Sequence, residues 1–290
     1  MKPFASLFAL FLTLTLHAAP MPAGAGVQEI KTTGGVIQVF TYRPSLYHDG
    51  PLVLVFHGIG RNAEDYRNFA IAVAERFKVL VAAPLFDKAR FPAAAYIRGG
   101  LFAKDGTLRP REEWTYALVP QLVAALRAGE GKPALPYYLL GHSAGGQFLE
   151  RFAAFYPTEA QRIVAGNPGS HLFPRRDWDF GYGFGRLPAE ISDDAALQRY
   201  LAAPLTLYLG TGDILTNTDN LDQSPEAERE GAFRLARGRA CFDYAQKLAA
   251  ERGWIFNWRK VETPGIGHDG GGMFAAPEMA EAFGQLKVQR

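Results

Sequence analysis

The sequence predicts an α/β fold, with a mostly parallel central sheet that helices cover on both faces. Short apolar runs alternate with segments of helical spacing, and these runs lie at residues 51–56, 79–84, 137–140 and 204–209. Continuous apolar runs of this length are typical of strands that are buried on both faces. Their alternation with helices favours parallel pairing, because each parallel connection needs a crossover. We find no repeat, low-complexity tract or linker that would divide the chain.

The first residues are typical of a secretory leader. A basic start at Lys2 precedes an apolar stretch over residues 4–16, and small residues follow at Ala18, Ala19 and Ala25. This pattern predicts a signal peptide within residues 1–25, with cleavage near one of these alanines. The stretch is shorter than the roughly 20 apolar residues that a membrane-spanning helix needs. We therefore predict one mature domain, residues 26–290, that is secreted or periplasmic.

The composition excludes several classes of partner. A net charge of +2 gives no strong field that would attract nucleic acid or an anionic membrane. The single cysteine, Cys241, cannot form an intrachain disulfide, and its helical neighbours predict that it packs as a small apolar residue. No clustered spacing of histidine, cysteine and carboxylate residues resembles a metal site, so we predict neither a metal nor an organic cofactor.

The remaining elements follow in chain order. Residues 27–32 and 36–42 alternate like strands around Gly34 and Gly35, which predicts a hairpin. A helix that Asn62 caps is predicted through residue 77, and another over residues 112–127 with a kink at Pro120. Long loops are predicted over residues 85–110 and 265–272. Further strands are predicted over residues 162–165 and 254–261, and further helices after residue 143, over residues 188–201 and 229–252, and from about residue 277.

Residues 167–185 differ from the rest of the chain. They hold several aromatic residues among glycines and charges, without helical or strand periodicity. This composition predicts an irregular excursion over one end of the sheet. Its Trp178, Phe180 and Tyr182 are candidate substrate-binding residues, as a lid or an acyl-binding wall. Burial of the same side chains against the domain is an equally compatible alternative.

The pattern around Ser143 predicts a nucleophile. The buried strand at residues 137–140 stops at Gly141, and helical spacing begins after Ser143. A serine on such a sharp turn needs small neighbours, which Gly141, Ala144 and Gly145 supply. The turn exposes the hydroxyl at the carboxyl end of the strand. The alternative is a serine that merely caps the helix.

A serine hydroxyl needs a base to accept its proton and an acid to orient that base. His268 follows the last predicted strand in a glycine-rich loop that can fold over the serine, and His171 is the alternative base. Asp213 is the first carboxylate after the strand at residues 204–209. Asp219 and Asp222 follow in the same loop and remain alternative acids.

An acyl-transfer site also needs donors for the oxyanion of its transition state. The backbone N–H of Ala144, directly after the serine, is one candidate. The other is the N–H of Ile59, in the glycine-rich loop that begins at His57 after the strand at residues 51–56. A glycine turn before a helix is the alternative interpretation of that loop.

Taken in order, these motifs resemble the α/β-hydrolase superfamily over nearly the whole mature chain. The matching residues are His57-Gly58, Gly141-His142-Ser143-Ala144-Gly145, Gly210-Thr211-Gly212-Asp213 and Gly267-His268. The chain is most similar in character to secreted esterases and polyester depolymerases, and polyamide hydrolases share similar frameworks. The resemblance implies a serine hydrolase that cleaves small or polymeric carboxylic esters through an acyl-enzyme. Amide hydrolysis by the same residues and a catalytically silent secreted binding protein are the alternatives.

Overall fold

The structure, a computed structural model, describes residues 19–284 and residue 286. Most of the predicted leader therefore lies outside the described residues, and its removal stays a prediction. The first strand begins at Gly24, and the Met21 side chain is buried while its N–H donates to a carboxylate 2.7 Å away. The first strand thus includes residues 24 and 25, which precede the predicted domain boundary at residue 26. Cleavage at Ala25 would cut into this strand, whereas Ala18 and Ala19 lie before it.

A sheet of eight strands forms the centre of the described residues, in the order β1-β2-β4-β3-β5-β6-β7-β8. The β1–β2 and β2–β4 pairs are antiparallel and the other five pairs are parallel, as the sequence predicts. The strands are β1 (Gly24–Thr32), β2 (Gly35–Arg43), β3 (Leu52–Phe56), β4 (Leu80–Pro84), β5 (Tyr137–His142), β6 (Ile163–Gly166), β7 (Leu205–Gly210) and β8 (Arg259–Thr263).

Helices cover both faces of this sheet. They are α1 (Ala63–Phe69), α2 (Ile71–Phe77), α3 (Ala93–Tyr96), α4 (Leu118–Gly129), α5 (Ala144–Phe155), α6 (Asp194–Leu201), α7 (Pro225–Glu228), α8 (Arg234–Arg252), α9 (Gly270–Ala275) and α10 (Met279–Phe283). Side chains of α1, α2, α9 and α10 pack on one face, and side chains of α4, α5, α6 and α8 pack on the other. Alternate residues of β3 point into these two cores, so the whole strand is buried.

Several predicted boundaries are wrong for local reasons. The hairpin turn is Thr33-Gly34, because Thr32 pairs directly with Gly35. The Asn62 side chain donates to Asp65 at 2.8 Å and caps no helical N–H, so it is not the predicted cap. The helix that follows is interrupted between α1 and α2.

The segment predicted as one kinked helix is built in three pieces. Two 3₁₀ turns, Arg111–Glu113 and Thr115–Ala117, precede α4, and Trp114 is extended between them. Pro120 lies in the first turn of α4, where its missing N–H removes no intrahelical bond. The interruption therefore occurs at Trp114 and not at Pro120.

Other segments are shorter than predicted. The 188–201 segment begins with a 3₁₀ turn, the 229–252 helix begins at residue 234, and the 254–261 strand begins at residue 259. The predicted loops contain α3 and the start of α9. The 167–185 excursion is irregular, as predicted, apart from two isolated bridges. No helix in the described part of the chain is long and apolar enough to cross a membrane.

Candidate active site

Ser143 occupies the turn between β5 and α5 in a strained backbone conformation. Its φ of 58° and ψ of −118° are unusual for a residue with a side chain. The Ser143 N–H donates to the Gly166 carbonyl at 2.9 Å, and its own carbonyl accepts from Gln147 at 3.0 Å. These bonds tie the strained residue both to β6 and to α5. Strain of this kind persists only where the surrounding structure fixes it.

The small residues of the turn are required by close backbone approach. A Cβ on Gly145 would lie 2.1 Å from the Phe56 carbonyl oxygen and 2.9 Å from that of His57. A Cβ on Gly141 would lie 2.4 Å from the Gly145 carbonyl oxygen. The first turn of α5 therefore packs directly against the end of β3. This contact brings the loop after β3 beside Ala144.

The structure brings His268 and Asp213 to Ser143 in a hydrogen-bonded series. The Nε2 atom of His268 lies 3.0 Å from Ser143 Oγ, and its Nδ1 lies 2.7 Å from Asp213 Oδ2. A proton on Nδ1 satisfies the carboxylate and leaves Nε2 free to accept from the serine hydroxyl. Asp213 is 2% exposed and Ser143 is 9% exposed, so the series opens to solvent mainly through His268, whose side chain is 26% exposed.

The loop after β7 fixes Asp213 through its backbone. The Asp213 N–H donates to the Gly210 carbonyl at 3.1 Å, and its carbonyl accepts from Leu235 at 3.2 Å. Its second carboxylate oxygen accepts from the buried Arg234 at 3.4 Å. Sequence reasoning missed Arg234, because no local pattern separates it from the other basic residues of α8. Each Asp213 oxygen thus faces one cationic or donor side chain.

The alternative acids and base lie elsewhere. Asp219 is exposed, and Asp222 accepts from the Tyr182 hydroxyl at 2.6 Å. His171 is fully buried, with Nδ1 3.0 Å from a carboxylate oxygen of Glu150. Of the candidate bases, His268 is therefore the one that contacts Ser143. Of the candidate acids, Asp213 is the one that contacts His268.

The loop of the predicted oxyanion donors is held rigidly. Ala144 is the first residue of α5, where a helical N–H has no intrahelical partner. The Ile59 N–H makes no hydrogen bond within residues 19–284. Around it, Arg61 donates to two carbonyls at 3.1 and 2.9 Å, and Tyr96 donates to the His57 carbonyl at 2.8 Å. The assignment of these two N–H groups to an oxyanion stays a prediction.

The chain was compared with protein families, with curated proteins and with solved structures. No family model matches the chain, and a search of curated proteins found no match. Poly(aspartic acid) hydrolase-1 from Sphingomonas sp. KT-1 is 33% identical, covers 92% of this chain and 99% of its own, and superposes with a TM-score of 0.81. LpqC, a poly(3-hydroxybutyrate) depolymerase from Bordetella parapertussis, is 35% identical, with 93% of each chain covered and a TM-score of 0.81. The chain belongs to the α/β-hydrolase superfamily.

A more distant structure shows the same fold alone. MPT51 (FbpC1) from Mycobacterium tuberculosis is 15% identical, with 92% of this chain and 100% of that chain covered and a TM-score of 0.58. The two relatives above 30% identity are hydrolases, and they support a hydrolase here. The predicted superfamily and fold are thus confirmed.

Two buried histidines of this α/β-hydrolase flank the site without carrying charge. Burial lowers the pKa of His57 to about 4, and its ring accepts from the Phe86 N–H at 3.1 Å. Burial, followed by the charges of His268 and Arg234, holds the pKa of His142 well below its usual value. The His142 ring lies 4.7 Å from that of His268, measured between centroids. A neutral imidazole therefore packs against the candidate base.

The aromatic side chains of the excursion pack against other side chains of the domain. Trp178 lies 4.7 Å from Phe173 between ring centroids, and Phe180 lies 5.6 Å from Phe155. Tyr182 is buried, with its hydroxyl bonded to Asp222. In the described residues, none of these contacts is with Ser143, Asp213 or His268. The predicted role of Trp178, Phe180 and Tyr182 in substrate binding stays a prediction.

A second polar cluster lies under the excursion. One ligand-type atom each of Glu150, His171 and Cys241 lies within 4.8 Å of the others, and all three residues are buried. They come from α5, the excursion and α8, so no sequence spacing could have revealed them. Burial, followed by the neighbouring Glu150 and Glu230, raises the pKa of Cys241 well above its usual value. A protonated thiol is a poor nucleophile and a poor metal ligand.

Proposed function

We propose that this protein is an exported serine hydrolase that cleaves carboxylic esters through an acyl-enzyme. The observation that supports it is the series in which His268 lies 3.0 Å from Ser143 Oγ and 2.7 Å from Asp213. Such a series activates a serine hydroxyl in unrelated protein folds. Export rests on the leader pattern of the sequence, which also favours a secreted or periplasmic location.

In the proposed reaction, the Ser143 oxygen attacks the acyl carbon while His268 Nε2 takes the serine proton. The N–H groups of Ala144 and Ile59 stabilise the oxyanion, at roughly 2.7–4 kcal/mol for each such donor. Collapse of the tetrahedral intermediate breaks the bond between the acyl carbon and the leaving alkoxide, and the alkoxide takes the proton from His268 Nε2. A water molecule then attacks the acyl-enzyme with His268 as base, and breakage of the bond to Ser143 Oγ releases the acid and restores the serine.

The surface beside Asp213 favours a neutral ester over a polyanion. The next two residues, Ile214 and Leu215, are 52% and 60% exposed. Exposed apolar side chains can pack against the methylene and methyl groups of a polyester, whereas the carboxylates of poly(aspartic acid) gain nothing there. One relative acts by name on a polyester and the other on poly(aspartic acid). Hydrolysis of an amide polymer by the same residues is therefore the second candidate.

Covalent labelling tests the proposed mechanism. A fluorophosphonate should label the protein at Ser143, and Ser143→Ala should remove both the label and the hydrolysis of p-nitrophenyl esters. Circular dichroism should show that the variant remains folded, since the turn tolerates a smaller side chain. Turnover that survives in Ser143→Ala would refute the nucleophile, and a folded wild type without label or turnover would indicate a binding protein.

Release of acid from poly(3-hydroxybutyrate) films and from poly(aspartic acid), measured side by side, separates ester from amide cleavage.

A further inference from the structure

We propose that Asn167 is a positioning residue that aligns the loops of Asp213 and His268 with Ser143, an inference that rests on the proposed function. Asn167 directly follows β6, which lies between β5 and β7 in the sheet. Ser143 follows β5, and Asp213 follows the end of β7. Asn167 is therefore at the centre of the sheet edge from which the site is built.

Both ends of the Asn167 amide are bonded to these loops. Its Oδ1 accepts from the Gly210 N–H at 2.7 Å, and its Nδ2 donates to the Gly267 carbonyl at 3.0 Å. Gly210 ends β7 ahead of Asp213, and Gly267 directly precedes His268. The neighbouring Gly166 carbonyl accepts from the Ser143 N–H at 2.9 Å. The last residue of β6 and the residue that follows it are thus bonded to the segments of all three residues.

The backbone conformation of Asn167 narrows the residues that could take its place. Its φ is 38°, in the left-handed region, and the residue is 1% exposed. Glycine adopts this region freely and asparagine adopts it more readily than most residues with a side chain, whereas larger side chains are strained there. Glycine, however, offers neither bond. An aspartate would accept from Gly210 but would place an oxygen against the Gly267 carbonyl.

The His268 loop needs such an external anchor because glycines make it flexible. It contains Gly265 and Gly267, and the structure ties it to the Asp213 loop through a bond of 2.9 Å from the Gly212 N–H to the Ile266 carbonyl. The Asn167 amide adds a tie from a different strand, on the side of Ser143. A displacement of about 1 Å in a reacting group can cost about 100-fold in rate. Loss of this tie should therefore slow catalysis more than it weakens substrate binding.

The test compares Asn167→Asp and Asn167→Gly with the wild type. For p-nitrophenyl acetate we expect kcat to fall about 10- to 100-fold with KM nearly unchanged, because the loss lies in alignment. The rate of fluorophosphonate labelling should fall by the same factor. Thr206→Val is the matched control, since it removes another buried side-chain bond from the same sheet, 2.9 Å long and distant from Ser143 in β7. That control should lower the melting temperature and leave kcat unchanged.

Two results would overturn the inference. One is wild-type kcat in a folded Asn167→Asp or Asn167→Gly variant, and the other is an equal fall of kcat in Thr206→Val. Asn167→Gly decides the matter if Asn167→Asp does not fold, because glycine keeps the backbone angle and removes both bonds. Failure of the proposed function is distinguishable, because it would appear as turnover in Ser143→Ala, whatever Asn167 does.

Discussion

The turn at residues 141–146 and the excursion at residues 167–185 are both irregular, yet different forces hold them. In the turn, close approach of the neighbouring backbone requires glycine, since a Cβ on Gly145 would lie 2.1 Å from a carbonyl oxygen of β3. In the excursion, buried charged side chains of α5 supply the order. Arg151 of α5 is fully buried and donates to the Ser170 hydroxyl at 3.2 Å, and Glu150 of the same helix lies 3.0 Å from His171.

This difference predicts that the turn serves catalysis and that the excursion serves packing. Near the turn, buried titratable groups such as His57 and His142 are neutral because burial lowers their pKa. Under the excursion, burial raises the pKa of Glu150, but the charges of His171 and Arg151 and hydrogen bonds outweigh it, and the pKa stays below its usual value. Substitutions near the turn should therefore change catalysis, and substitutions under the excursion should change stability.

The largest effect on kcat is expected from substitution of Asp213, which contacts His268 beside the turn. Asp213→Asn should lower kcat by about 10⁴-fold with the fold retained, because an amide stabilises the wrong histidine tautomer and no imidazolium. Asp222→Asn is the control, since Asp222 is bonded to Tyr182 of the excursion and should change kcat only modestly. Ester hydrolysis and circular dichroism measure both. A crippled Asp222→Asn beside an active Asp213→Asn would refute this choice of acid.

The same contrast explains what the sequence could predict. The buried strands and the turn at Ser143 depend on residues that are close in sequence, and they were predicted. Asp213 and His268 could be proposed because each follows a predicted strand. The boundaries of the helix before β5 were wrong because Trp114 is extended, which packing imposes and no local signal shows. Arg234, Asn167 and the Glu150 cluster were missed because their partners are distant in the chain. Only tertiary structure brings such residues together.

A smaller effect is expected from the pair beneath the excursion. Glu150→Gln should lower the free energy of unfolding by about 3–5 kcal/mol, because it removes the buried carboxylate that faces His171 and the buried Arg151. The rate constant of the folded fraction should remain that of the wild type. Glu262→Gln is the matched control, since its ion pair with Arg239 is partly exposed and should be worth about 1 kcal/mol or less. Urea unfolding measures both variants. A stable but inactive Glu150→Gln would show that the excursion serves catalysis.

The free energy of unfolding should depend on pH because His57, beside the turn, is buried in its neutral form. His57 has its folded pKa lowered to about 4 from 6.5, so below 6.5 the unfolded chain binds a proton that the folded protein excludes. Stability is therefore full above pH 6.5 and falls as the pH drops toward 4, by about 3 kcal/mol in total from this residue.

His57→Gln should remove this contribution, so its unfolding free energy should change less than that of the wild type between pH 7 and pH 4. His48 is exposed, and His48→Gln should follow the wild type. Chemical denaturation at several pH values measures the difference. Parallel curves for wild type and His57→Gln would mean that His57 does not stay neutral in the folded protein.

The smallest expected effect decides whether the excursion also touches substrate. Trp178 is partly buried, lies 4.7 Å from Phe173 between ring centroids and has the Arg175 guanidinium 4.4 Å above its ring. Trp178→Ala removes these contacts, and because the ring is not fully buried we expect a loss of about 1–2 kcal/mol in unfolding free energy. If the excursion is a packing region, the ratio of kcat/KM between long and short p-nitrophenyl esters should stay at its wild-type value.

Trp254→Ala is the matched control for this prediction. Trp254 is also partly buried, with the Arg252 guanidinium 5.6 Å above its ring, but it lies on the approach to β8, at the opposite end of that strand from His268. Equal losses of stability with unchanged chain-length ratios in both variants would make Trp178 a packing residue. A changed ratio in Trp178→Ala alone would instead make it part of an acyl-binding wall. The contrast between the two regions would then fail at this residue, because one side chain would serve both packing and substrate selection.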